Sequence, residues 1–101
     1  MTRKSFYKAL RKVADQFDWT VESGTGWIRG KSKYDNRNCC PLTAVSLART
    51  GTRVTLDHYV DAGNMIGVQE EDAHKIAKAA DNNDKQYKLT REALLRAIGQ
   101  I

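Results

Sequence analysis

Residues 39–51 read Cys39-Cys40-Pro41-Leu42-Thr43-Ala44-Val45-Ser46-Leu47-Ala48-Arg49-Thr50-Gly51, and this stretch decides the fold. It holds both cysteines and the only proline of the chain. Proline fixes φ and lacks an N–H, which a first helical turn leaves unpaired anyway, so Pro41 marks a helix start. The helix it opens, Pro41 to Arg49, carries Leu42, Ala44, Val45, Leu47 and Ala48 and stops at Gly51, a natural helix terminator. Apolar side chains around most of its circumference predict burial on several sides. The expected fold is mainly α (α+β): four to five short helices around this central buried helix, plus one small β-hairpin.

Upstream, Phe6, Leu10, Val13, Ala14 and Phe17 recur at helical spacing and predict an amphipathic helix over residues 3–17, capped by Thr2. Arg3, Lys4, Lys8, Arg11 and Lys12 gather on its opposite face, and no acid interrupts them before Asp15. Trp19, Val21 and Glu22, the tip Ser23-Gly24-Thr25-Gly26, and Trp27 to Lys33 read as a hairpin. Period-two alternation places Trp27, Arg29, Lys31 and Lys33 on one strand face. Gly30 and the polar stretch Tyr34 to Asn38 are expected to end that strand.

Downstream, Arg53 to Leu56 suggests a brief extended piece, and Asp57 to Ala62 a short helix closed by Gly63-Asn64. Met65-Ile66-Gly67-Val68 leads into a helix from Gln69 to Ala80, whose first turn carries Glu70, Glu71 and Asp72 at the positive end of the helix dipole. Ala73, Ile76, Ala77 and Ala80 form its apolar stripe, and Asp81-Asn82-Asn83-Asp84 breaks it. Thr90 is placed to cap a last helix, with Leu89 and Leu94 as its hydrophobic staple. Leu94, Leu95 and Ile98 face inward there, and Gly99 ends it.

A chain of 101 residues fits a single globular domain, 1–101, and 41% hydrophobic with 29% charged residues argues against disorder. No apolar run approaches the roughly 20 residues of a membrane helix, and no apolar secretory core follows the N-terminus, so the cytoplasm is the expected location. Adjacent cysteines could close only a strained ring, which predicts free thiols. The net charge of +5 is uneven: residues 1–50 carry ten Lys/Arg against four Asp/Glu, and residues 51–101 seven against eight. The basic half therefore points to an acidic partner, nucleic acid or protein.

No catalytic signature stands out. Cys40 at a helix mouth could be a nucleophile with His58 or His74 as base, but neither histidine sits in a motif, and small buried cysteines sealing a core helix explain the pair. Zinc is disfavoured by adjacent cysteines and by histidines sixteen residues apart, 58 and 74. Gly24-Thr25-Gly26 lacks the helix and lysine of a phosphate loop. Gly63, Ile66, Gly67, Val68 and Ile76 fit a helix-turn-helix, yet its reading helix would push Glu70, Glu71 and Asp72 against phosphates. That geometry would serve packing. Neither an enzyme nor a cofactor is expected.

The strongest binding signal is the basic face of the first helix together with the ridge Trp27-Arg29-Lys31-Lys33. Cations serve phosphates or carboxylates, and Trp27 or Tyr34 could stack on bases or anchor a protein interface. A merely solvated helix face is the alternative. Without an aromatic belt beside the cations, no membrane partner is expected.

Cys40-Pro41-Leu42-Thr43-Ala44-Val45, followed by Gly67-Val68, Glu71-Asp72-Ala73, Ile76 and Ala79-Ala80-Asp81, resembles a pattern in small uncharacterised phage and prophage proteins. The similarity covers residues 38 to 98. That group has no established activity, so the resemblance assigns no catalytic residue. It implies a short accessory protein of a virus or mobile element, of the kind that binds and blocks host machinery, including CRISPR complexes, in the host cytoplasm. The leading expectation is a non-catalytic, anti-CRISPR-like binder that docks on an acidic surface of a host nucleic-acid-handling or defence complex and modulates or inhibits it. Arg3, Lys4, Lys8, Arg11, Lys12, Arg29, Lys31 and Lys33 supply charge, with Trp27 or Tyr34 as anchor. Direct DNA or RNA binding through the same residues is the second expectation, and a cysteine-dependent enzyme a weaker third. The acidic segment 57–84 could also pair with the basic half of a second copy, giving a homodimer.

Overall fold

The computed structural model describes residues 1–52 and 58–101. In chain order these form α1 (Arg3–Val13), β1 (Phe17–Val21), β2 (Ile28–Ser32), β3 (Asn38–Cys39), α2 (Pro41–Thr50), α3 (His58–Ile66), α4 (Glu70–Asp81) and α5 (Lys88–Ala97). The architecture is mainly helical with one small antiparallel sheet of order β1-β2-β3. Among the described residues, no helix is long and apolar enough to cross a membrane.

Helix α2 is the hub, packed by α1, α3, α4 and β2. Cys40 caps it in extended conformation, and Gly51 ends it at φ 72° with its N–H on the Leu47 carbonyl at 2.9 Å. Leu42 and Val45 are wholly buried, each contributing about 1.5–3 kcal/mol by apolar transfer. The helix runs one residue past Arg49, to Thr50, whose hydroxyl donates to the Ser46 carbonyl at 2.7 Å.

Helix α1 is shorter than its apolar spacing suggests. Thr2 caps it as expected, accepting from the Ser5 N–H at 3.1 Å. It stops at Val13, a 3₁₀ turn covers Ala14–Gln16, and Phe17 is extended at the head of β1. A buried Phe17 satisfies either periodicity. The ladder decides, because Phe17 pairs with Ser32 across β1 and β2 and packs on Cys39 and Ala44.

The hairpin forms where expected, closed by a Glu22 N–H bond to the Trp27 carbonyl at 2.9 Å. Gly30 does not end the strand but sits inside β2, opposite Trp19 on one side and Cys39 on the other. A Cβ there would stand 2.8 Å from the Trp19 ring, whose Nε1–H is fixed on the Ala14 carbonyl at 2.9 Å. The two-residue strand β3 makes the hairpin a three-stranded sheet.

The expected extended piece at 53–56 and the start of the next helix at Asp57 lie outside the described residues. Helix α3 runs through Gly63 and Asn64 to Ile66, and Gly67, at φ 78°, follows its end. Gly63 is there for proximity: its Cβ would lie 2.7 Å from that of Ala73 on α4. Gln69 caps α4, and the Met1 ammonium donates to the Gly67 carbonyl at 2.9 Å.

The last helix begins at Lys88 rather than after Thr90. A 3₁₀ turn at Lys85–Tyr87 precedes it, with Asp84 accepting from the Gln86 N–H at 3.0 Å. Thr90 is interior to the helix and Leu89 is 81% exposed, so the expected staple does not form. Leu94, Ala97 and Ile98 face inward, whereas Leu95 is only half-buried. Buried Arg91 fastens this end of the molecule, donating to the carbonyls of Ala79 at 2.9 Å, Asn82 at 3.1 Å and Gly26 at the hairpin tip. It thus places a cation at the negative end of α4. Burial lowers its pKa.

Candidate functional site

At 100° per residue, Arg11, Lys4, Lys8 and Lys12 fall within about 100° of the α1 circumference, opposite Phe6 and Leu10. All four are exposed, and Phe6 and Leu10 are wholly buried. Two neighbouring helices extend this face. Arg96 of α5 shares a groove with Lys4, Tyr7, Lys8, Arg11 and Ala93, and Arg49 of α2 shares another with Met1, Lys8 and Lys12. None of these six cations is ion-paired among the described residues. The result is a belt of fixed positive charge running from α5 across α1 to α2.

Arg49 and Arg96 were not among the residues expected from sequence. Each stands in the last turn of its own helix, favourable to the helix dipole, and nothing local links it to α1. Conversely, Arg3 departs from the predicted face. It lies about 80° outside the arc, only partly exposed, and lines a different groove with Tyr7, Lys75, Lys85 and Lys88.

The β2 ridge forms with the expected alternation: Ile28, Gly30 and Ser32 are buried, and Trp27, Lys31 and Lys33 exposed. Its charge is largely engaged within the molecule. The Arg29 guanidinium donates to Asp81 Oδ1 at 2.8 Å and to the Ile28 carbonyl at 3.1 Å, and it lies 4.9 Å from the Trp27 ring centroid. Lys33 donates to the Asp15 carbonyl at 2.7 Å, and Lys31 stands opposite Asp18 in the strand register. Tyr34 is 83% exposed in the turn after β2. None of the grooves described is lined by both the α1 face and this ridge. The candidate residues thus divide into an unpaired helical belt and a ridge in which Arg29 and Lys33 are engaged from within.

The two cysteines are not joined in a disulfide. Cys39 is buried beside Phe17 and Ala44, and Cys40 Sγ lies 3.4 Å from the Thr43 hydroxyl. The His74 ring instead meets Tyr59 and Tyr87 edge-on at 5.8 and 6.4 Å. Among the described residues no three His, Cys, Asp or Glu side chains gather as a metal site requires. The α3–turn–α4 unit presents Glu70 and Glu71 exposed at the mouth of α4, the wrong sign for phosphate.

No family model, no curated protein and no solved structure matches this chain.

Proposed function

We propose that this protein is a non-catalytic accessory protein of phage type that acts at a host nucleic-acid-handling or defence complex by gripping the nucleic-acid backbone. The observation that supports it is the belt of Lys4, Lys8, Arg11, Lys12, Arg49 and Arg96, six cations without an internal carboxylate partner among the described residues. Phosphate contacts need fixed charge spread over a surface, which a helix face flanked by two more helices provides. Protein interfaces of comparable strength usually carry a buried aromatic anchor. The expected anchors do not line the belt grooves: Trp27 is exposed beside the hairpin with Arg29 on its ring, and Tyr34 stands in the turn after β2. That favours a phosphate backbone over an acidic protein surface. Electrostatic gripping of this kind reads shape and charge rather than sequence.

Affinity for random-sequence duplex DNA and RNA, measured from 50 to 300 mM salt, tests the proposal. With up to six phosphate contacts, log affinity should fall with log salt at a slope of about −3 to −5. Lys8→Gln with Lys12→Gln should reduce that slope by about two. Absence of binding at 50 mM salt would leave docking on an acidic protein surface as the remaining reading.

A further inference from the structure

The groove into which Arg3 is displaced has a composition of its own. It is about 540 Å³, lies between α1, α4 and the start of α5, and is lined by Arg3, Lys75, Lys85 and Lys88 with the hydroxyl-bearing Tyr7, Tyr87 and Thr90. No carboxylate lines it. Glu71 approaches from outside and pairs with Lys75 at 3.3 Å, and Asp72 lies near enough to act on Tyr7, so the local balance remains positive by two. Leu89, 81% exposed, gives the same groove an apolar wall beside the Tyr87 ring.

Tyr7 supplies an independent observation. Its hydroxyl is buried with no hydrogen-bond partner among the described residues. Burial raises its pKa, while the neighbouring Thr90 hydroxyl and Arg3 act in the opposite direction. Thr90 is thus close enough to be felt but not placed to complete a hydrogen bond. A buried donor without an acceptor is costly and rare, and at the edge of a cationic groove the missing acceptor is most simply an anionic oxygen.

We infer that this groove is a binding site for a phosphomonoester on a small apolar or planar body, of nucleoside monophosphate size. The cations of Arg3, Lys75, Lys85 and Lys88 would neutralise the phosphate, the Tyr7 hydroxyl would donate to a phosphate oxygen once the ligand displaces the side chains that cover it, and Tyr87 and Leu89 would flank the organic part. This groove adjoins the belt at Tyr7 and Ala93 but contains none of the belt's six cations, so the belt charges can be removed without altering its lining.

The test is an NMR titration of the full chain with adenosine monophosphate, with adenosine and with inorganic phosphate. Expected shifts for the monophosphate fall on Lys75, Lys85 to Thr90 and the Tyr7 ring, with adenosine at least tenfold weaker. Lys85→Gln with Lys88→Gln should weaken binding at least tenfold, and Tyr7→Phe about threefold, the net worth of one hydrogen bond. The belt variant Lys8→Gln with Lys12→Gln should bind the monophosphate as the parent does, so failure here is distinguishable from failure of the nucleic-acid proposal. In the belt variant, a 5′-phosphorylated oligonucleotide binding more tightly than its 5′-hydroxyl counterpart assigns the source to a strand end, and equal binding of the two oligonucleotides beside tight monophosphate binding assigns it to the free nucleotide; both support the site. Equal affinity for adenosine and its monophosphate, or no shift at millimolar monophosphate, would overturn it.

Discussion

Replacing Arg91 by alanine should cost this protein a large part of its stability. The guanidinium serves three carbonyls from three places, those of Ala79, Asn82 and Gly26, and thereby ties the hairpin tip to α4 and α5. Each charged hydrogen bond is worth about 1.5–3 kcal/mol, but truncation opens a space through which water can partly resolvate the carbonyls. Loss of the cation at the α4 C-terminus adds about 0.3–1 kcal/mol. A net loss of about 3–4 kcal/mol follows, against the 5–15 kcal/mol typical of a whole domain. In a chain of 101 residues this lowers the melting temperature by about 15–25 °C. Arg91→Lys should recover only part, because one ammonium cannot span the three carbonyls as the planar fork does. Urea denaturation followed by circular dichroism measures both. A loss below about 1 kcal/mol for Arg91→Ala, or full recovery with lysine, would refute the reasoning.

Gly63→Ala places a Cβ 2.7 Å from that of Ala73 and should destabilise by about 1–2 kcal/mol despite better helix propensity; adding Ala73→Gly should restore much of it, as a double-mutant cycle in urea will show. Tyr7→Phe removes an unpartnered buried hydroxyl and should raise the neutral-pH urea midpoint, by about 1 kcal/mol in stability. The raised Tyr7 pKa has a second consequence: above its ordinary value of 10.0 the unfolded chain releases this proton first, so stability falls as pH rises through that window, and midpoints at pH 9 and pH 11 should show the phenylalanine variant losing less. Cys40→Ser should raise the melting temperature by a few degrees, since the α2 cap makes no side-chain hydrogen bond to the helix backbone and serine is a strong cap.

What could be read from the residues depended on whether a local cue decided the structure. Pro41 and Gly51 punctuate α2 unambiguously, and Thr2 starts α1. Phe17 misled because four residues after Val13 suits a helix, while the strand pairing that claims it involves Ser32, fifteen positions away. Gly30 and Gly63 both looked like terminators. Each instead lies inside an element, where the side chain of Trp19 or Ala73 needs the missing methyl's space. The α5 start was misplaced because Thr90 resembles a cap, whereas Asp84 and a 3₁₀ turn begin that segment. For the candidate site, helical spacing brought Lys4, Lys8, Arg11 and Lys12 together. It could not add Arg49 and Arg96, which join only through tertiary packing. Nor could it foresee that Asp81, fifty-two residues from Arg29, would engage that guanidinium.

The most direct measurement of the belt is lysine footprinting: acylation rates of each amine with and without saturating random-sequence duplex at low salt. The belt predicts that Lys4, Lys8 and Lys12 become strongly protected while Lys31 of β2 and Lys78, exposed in the last turn of α4, keep their free rates. Uniform protection of all lysines, or protection concentrated on Lys31 and Lys33 of the sheet with Lys8 and Lys12 unchanged, would contradict it.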